Sequence, residues 1–247
     1  MQSTASAPAH RPPQRLPVLL SAIAGYIDSC KFLGLFGLFV AQVTGSFVVA
    51  GAQLVTHDPG FLIKVLAIPF FLLGGITTTV VVGTAIARGG SPNCWAFGLE
   101  GFLLLCFLLV GVTAAPFHAP GGLPETAAAF FGLAAMGVQS AQVRLLMHGV
   151  PSTNVMTTNT TLITIEGTQM VLAWRRARGG NSEAAAQLNA SGGRLLWLVS
   201  IAVGFLAGTI AGALAYRAFA FWSLLLPTAA MVSLALWVRS DTSLAAG

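Results

Sequence analysis

Val43-Thr44-Gly45-Ser46-Phe47 lies inside the apolar run from Phe39 to Val55, and the reading of the fold starts from it. Gln42, Thr44, Gly45, Ser46 and Gln53 interrupt the run. A second stretch echoes it: Met156-Thr157-Thr158-Asn159-Thr160, inside Val155 to Val171. Setting Thr44 on Thr157 pairs Ser46 with Asn159 and Val49 with Leu162. Upstream, Gly25-Tyr26-Ile27-Asp28 pairs with Gly137-Val138-Gln139-Ser140, one residue out of step. Downstream, Phe71-Leu72-Leu73-Gly74-Gly75-Ile76 pairs with Phe205-Leu206-Ala207-Gly208-Thr209-Ile210. Matches in the same order on both sides of the polar stretches predict an internal duplication, as in repeat-built transporters.

Composition sets the environment. The 247 residues are 55% hydrophobic and 8% charged, with mean hydropathy +0.82. Soluble domains carry about a quarter charged residues, so these cannot make a water-soluble shell. The chain reads as an all-α polytopic membrane protein in contact with the lipid bilayer. Its net charge of +5 fits basic residues that flank membrane spans. No basic patch with interleaved aromatics points to nucleic acid. Cys30, Cys94 and Cys106 lie in apolar runs without CxxC spacing and read as small packing residues. The histidines are scattered, so neither metal nor cofactor is expected. Walker A, HExxH, GxSxG and dinucleotide motifs are lacking, and no enzyme is expected.

Residues 1–14, rich in Pro, Ser and Ala, read as a disordered tail, and the apolar run after them as a retained first helix. The first membrane repeat spans 15–115, a Pro/Gly-rich loop 116–122, the second repeat 123–239, and a tail 240–247. Each repeat reads as helix, polar broken stretch, helix, helix. The expected helices run from Leu16 to Phe36, Phe61 to Ala87, Cys94 to Ala115, Glu125 to Leu146, Leu195 to Tyr216 and Phe221 to Val238. A hydrophilic loop is expected from Arg175 to Gly193.

Whether the broken stretches cross decides the topology. If they do not, and the N-terminus is cytoplasmic, then Arg11, Arg15, Arg88, Arg144, Arg175, Arg176, Arg178, Arg194 and Arg239 all fall inside. If they cross, Arg88, Arg144 and Arg217 move outside. The positive-inside rule favours about six crossings with both termini cytoplasmic, which makes the halves inverted copies. A segment that enters and returns must lie against protein or a wet cavity, because lipid satisfies no backbone group. The alternative is a discontinuous or tilted helix that does cross. In the re-entrant reading, Thr44-Gly45-Ser46 and Thr157-Thr158-Asn159 are expected to meet near the bilayer centre.

Candidate pathway residues follow from their cost in a membrane. Asp28 is a functional candidate by default and is expected to face the bundle interior. Lys31, three residues on, either neutralises it locally or shares a site with it. Lys31 and Arg144 are otherwise expected to snorkel to the headgroups. Gln139 and Ser140 match Ile27 and Asp28. Glu166 serves either transport or interfacial packing. Glu100 is expected near the cytoplasmic interface, hydrated. Thr77, Thr78 and Thr79 are expected to bond back to helix carbonyls, and Gly204, Gly208 and Gly212 to form a close-packing face.

The motifs Gly25-Tyr26-Ile27-Asp28, Val43-Thr44-Gly45-Ser46, Gly137-Val138-Gln139-Ser140-Ala141 and Met156-Thr157-Thr158-Asn159-Thr160 resemble those of the YoaK-like family. These are small bacterial inner-membrane proteins catalogued as a domain of unknown function. The resemblance covers nearly the whole chain after the tail. Ser46 and Ser140 stand where asparagine is usual, and Thr158 where glycine is. The resemblance implies a bacterial inner-membrane location and leaves function open. The function expected is a secondary transporter or channel for a small solute or ion, with a non-transporting scaffold or accessory subunit as the alternative. A second copy of the chain is an open alternative as partner.

Overall fold

The computed structural model describes residues 15–35, 37, 43–56, 61–117, 122–178 and 182–240. Residues 1–14, 118–121, 179–181 and 241–247 of the tails and loops read from the sequence lie outside these residues, as do 39–42 of the first polar stretch. The described chain is helical: α1 (Arg15–Gly34), α2 (Val43–Thr56), α3 (Phe61–Ala87), α4 (Pro92–Ala114), α5 (Leu123–Leu146), α6 (Met156–Ala177), α7 (Ser182–Phe219), a 3-10 turn (Ala220–Leu224) and α8 (Leu225–Ser240). Four runs have the length and composition to cross a bilayer: Arg15–Gly34, Phe61–Ala87, Pro92–Ala114 and Ala186–Ser240.

Local chemistry sets several ends. Gly89 adopts φ +67°, which ends α3. The Gly90 N–H then donates back to the Ala85 carbonyl at 2.9 Å. Ser91 caps α4 by accepting from the Cys94 N–H at 3.4 Å, and Pro92 occupies the first turn, where no N–H is needed.

Two elements differ from the sequence reading. The polar stretches are continuous helices over Val43–Thr56 and Met156–Ala177, not interrupted ones. In α6 the threonine hydroxyls satisfy themselves: Thr160, Thr161, Thr164 and Thr168 each donate to the carbonyl four residues back at 2.8–3.1 Å. The hydrophilic loop is also largely helix, because α6 runs to Ala177 and α7 begins at Ser182. The Ala-rich start of α7 favours helix, and Gly192 lies against Met170 of α6. At 38 residues α7 is the longest helix described. At about 1.5 Å per residue it is roughly twice the length needed to span about 30 Å of hydrocarbon.

Packing fixes relative directions. α1 and α7 run parallel: Val18 meets Gly204, Ala22 meets Gly208, and Gly34 meets Tyr216. α3 and α5 run parallel: Phe70 meets Phe130 edge-on at 5.1 Å, and Gly74 meets Ala134. α1 is antiparallel to α5, since Leu20 lies by Gln139 and Lys31 by Gly132. α4 is antiparallel to α8, since Gly101 lies by Val232 and Gly111 by Phe221. α6 is antiparallel to α7, since Glu166 pairs with Arg194 and Met170 touches Gly192. The core joins α1, α4, α5 and the 3-10 turn through Leu20, Ile27, Phe97, Leu104, Leu133 and Leu224. Phe221 sits edge-on to Phe107, Phe117 and Tyr216. α2 packs only on α3 and α6 only on α7 among the described elements.

Candidate functional site

The glycines at the helix crossings occupy matching places. Gly25 lies on the Phe205 carbonyl and beside Thr209; Gly137 lies on the Phe71 carbonyl and beside Gly75. Gly208 abuts the Ala22 backbone, and Gly74 the Ala134 backbone. A Cβ at any of these would overlap main chain. The expected close-packing face of Gly204, Gly208 and Gly212 is this seam with α1. Thr77, Thr78 and Thr79 bond back to Leu73, Gly74 and Gly75 as expected, at 2.7–2.9 Å.

Beside these crossings the polar residues divide into two groups. The first sits where α5 ends and α6 begins. Gln139 is buried and donates through Nε2 to the Leu20 carbonyl at 2.8 Å and to Thr153 Oγ1 at 3.0 Å. Asn154 Nδ2 donates to Ser140 Oγ at 2.6 Å and to the Met136 carbonyl at 3.3 Å. Asn159 Nδ2 donates to the Ser152 carbonyl at 2.6 Å. Together they pin the segment 150–155 against α5 at the depth of Met136 to Ser140, six or more residues inside the end of α5 at Leu146. Gln139, Ser140 and Asn159 thus take part in holding this segment in place. Thr153 and Asn154 are not among the residues that the sequence marks out. Removing the amide in Asn154→Ala is expected to cost about 1–3 kcal/mol, the penalty of unpairing a buried polar partner. Thermal unfolding in detergent would check it, with Asn154→Asp as the near-isosteric control.

The second group lies in the core between α1, α4 and α5. Lys31 is fully buried, and its Nζ has no hydrogen-bond partner. Its side chain passes over Gly132, where a Cβ would collide with it. It ends 5.4 Å from the centre of the Phe107 ring. Lys31 therefore does not snorkel: its stem points into the bundle, and helices cover it on every side. Glu100 is also fully buried, with neither carboxylate oxygen hydrogen-bonded. The expectation of a hydrated interfacial Glu100 is corrected, because its helix neighbours Phe97 and Leu104 face the same core and are buried with it. Lys31 is the charge acting on Glu100, and Asp28 is the foremost charge acting on Lys31. Asp28 is half-buried. It faces a recess of about 280 Å³ between α1 and α7 with Ser29, Phe205 and Thr209.

The remaining candidates lie elsewhere. Gly45 is half-buried on α2, and Ser46 is buried against α3 with Ala50 one turn on. The Thr44 side chain is outside the described residues. Thr157 and Thr158 are exposed, and Thr157 lines an open groove of about 550 Å³ on α6 with Thr160, Thr161 and Thr164. Among the described residues α2 and α6 make no contact, so the expected meeting of the two polar stretches does not occur within one chain. Glu166 Oε1 accepts from Arg194 Nε at 2.8 Å, which ties α6 to α7. Arg144 is exposed. Arg194 is half-exposed, so Glu166→Gln is expected to change stability little. A double-mutant cycle with Arg194→Gln would measure the coupling.

The chain belongs to the family described as Protein of unknown function (DUF1275), whose model matches residues 16–237. The YoaK-like resemblance read from the motifs falls within it. No curated protein and no solved structure matches the chain. It is a membrane protein of this family.

Proposed function

We propose that this family member is a secondary transporter or channel for a small solute or ion, not an enzyme, built as an inverted duplication. The observation that carries the reading is the exchange of helices between halves. α1 of the first half crosses α7 at Gly25/Phe205 and Ala22/Gly208. α5 of the second half crosses α3 at Gly137/Phe71 and Ala134/Gly74, the positions paired by sequence. Such paired, interlocked halves are the architecture of alternating-access transporters.

Direction supports six crossings. α3 runs parallel to α5, which is antiparallel to α1, so the chain reverses once between α1 and α3 and α2 adds no net crossing. Eight crossings would also make α4 and α8 parallel, whereas Gly101/Val232 and Gly111/Phe221 run antiparallel. A re-entrant α6 is supported by its start, pinned at the depth of Ser140, and by its exit toward the beginning of α7. The basic residues Arg175, Arg176 and Arg178 at that exit favour a cytoplasmic side in a bacterial inner membrane, with both termini cytoplasmic.

A scaffold or accessory subunit is favoured by one observation, the separation of α2 from α6. Purified protein in liposomes, assayed against a solute and ion panel, decides between the two. Transport predicts flux above empty liposomes for at least one compound. No flux with the folded protein across the panel contradicts transport.

A further inference from the structure

We propose that the groove where α3, α4 and α8 meet holds an anionic phospholipid, with its phosphate between Ser91 and Arg239 and one acyl chain lying along α4. The site stands apart from the transport reading and needs only that the chain lies in a membrane.

The groove follows from the packing. α4 lies against both α3 and α8. The three helices leave a cavity of about 950 Å³ between them. Small-molecule sites in proteins fall at about 300–1,000 Å³. Gly98 lies in its wall, and no atom comes within 4 Å of a Cβ at that position, so the trough is open there.

Polarity is graded along the groove. The turn from α3 into α4 and the last turn of α8 share one end, because α4 and α8 run antiparallel. Ser91 and Arg239 line the groove at that end. Ser91 Oγ accepts from the Cys94 N–H and keeps its own hydrogen to donate. Arg239 is exposed and has no ion-pair partner among the described residues. A guanidinium fork matches two phosphate oxygens. Trp95 comes next, and its Nε1 lies 3.6 Å from where a Cβ at Gly90 would sit, facing the same end. An amphipathic ring so placed suits the headgroup level. Further in, Val81, Gly98, Phe102 and Leu236 make the lining apolar.

The length fits one leaflet. Ser91 and Phe102 lie about 16 Å apart along α4, at about 1.5 Å per residue. Half of a hydrocarbon core of about 30 Å is about 15 Å. A phosphate at Arg239 therefore lays an acyl chain in the trough as far as the bilayer midplane. In the six-crossing arrangement this is the cytoplasmic leaflet.

Charge selects the headgroup. No acidic side chain lines the groove among the described residues. The recess beside Asp28 carries an acid and the groove on α6 carries no charge, so neither complements an anion. Free phosphate would leave the apolar trough unfilled. A zwitterionic lipid would bring its own cation up to Arg239. An anionic phospholipid matches both ends.

The test is native mass spectrometry of the full chain in detergent, with phosphatidylglycerol or phosphatidylcholine of the same acyl chains added. The native protein is expected to retain phosphatidylglycerol preferentially. Arg239→Gln is expected to lower that retention about fivefold, the share of one basic residue in holding an anionic headgroup. Arg144→Gln removes an equally exposed arginine from the end of α5 and is expected to retain lipid as the native protein does. Gly98→Leu fills the trough without touching protein and is expected to lower retention of both lipids. It keeps the test standing should Arg239→Gln not fold. Excess inorganic phosphate is expected not to displace the lipid. Equal retention of the two lipids by the native protein means an ordinary lipid shell and overturns the proposal. So does unchanged retention in folded Arg239→Gln or in Gly98→Leu. Displacement by phosphate assigns the end of the groove to a free anion and overturns the lipid. A dimer that Gly98→Leu dissociates, with lipid retention unchanged, puts a second copy in the groove instead.

Discussion

Gly208→Leu is expected to abolish most of the folded protein, and Gly74→Leu to do the same at the other helix crossing. A Cβ at Gly208 would overlap Cα, C and O of Ala22, and one at Gly74 the same atoms of Ala134. These are main-chain atoms of a facing helix, so no side-chain rotation relieves the overlap. The helices must separate, and in lipid their association depends on that close approach. The cost should exceed the about 1–3 kcal/mol of ordinary overpacking. Thermal unfolding in detergent, or the folded fraction after size exclusion, reads it. Gly83→Leu and Gly98→Leu are the controls, because no atom lies within 4 Å of a Cβ at either place. Equal stability of Gly208→Leu and Gly98→Leu would show that α1 and α7 do not cross as described.

Lys31→Met should be the most damaging change in the core that preserves volume. It removes the buried cation that acts on Glu100, whose carboxyl oxygens already have no hydrogen-bond partner. Lys31 and Glu100 are not hydrogen-bonded to each other, so the loss is expected to stay below the about 3–5 kcal/mol of breaking a direct buried pair. The double change Lys31→Met with Glu100→Gln is expected to recover most of that loss, since it leaves no charge stranded on α4. The loss in the single variant should also shrink on acidification, when Glu100 can take a proton in place of the ammonium. Thermal unfolding of the four proteins at neutral and acid pH closes the cycle. Additive losses in the double variant would mean that Lys31 and Glu100 act independently.

The two sets of residues were not equally legible. Gly25, Gly137, Gly74 and Gly208 could be matched by sequence because a helix crossing at main-chain distance tolerates only a glycine, and the same order of elements recurs. Glu100 could not be placed, because α4 is apolar all round and offers no periodicity to tell its core face from its lipid face. Its depth had to come from Phe97 and Leu104 being covered by other helices. The polar stretches read as broken because residues such as Gln42, Thr44, Gly45, Ser46 and Gln53 interrupt the apolar run. In α6 the hydroxyls instead return to the carbonyl four residues back, which removes the conflict. Lys31 shows the limit of local reasoning. Spacing put it one turn from Asp28 and near the end of α1, whereas Gly132 on α5 opens the space that lets its side chain run inward.

Sided cysteine labelling at Arg88 and His148 tests the architecture most directly. Both residues are exposed, at the ends of α3 and α5. In a background lacking Cys30, Cys94 and Cys106, single cysteines at these positions would be probed from each face of intact cells or spheroplasts. Six crossings with re-entrant α6 predict that both label only from the cytoplasmic side, together with Arg178→Cys, while Trp222→Cys labels from outside. Labelling of Arg88→Cys and His148→Cys from outside would mean that α2 and α6 cross, and would contradict the inverted arrangement.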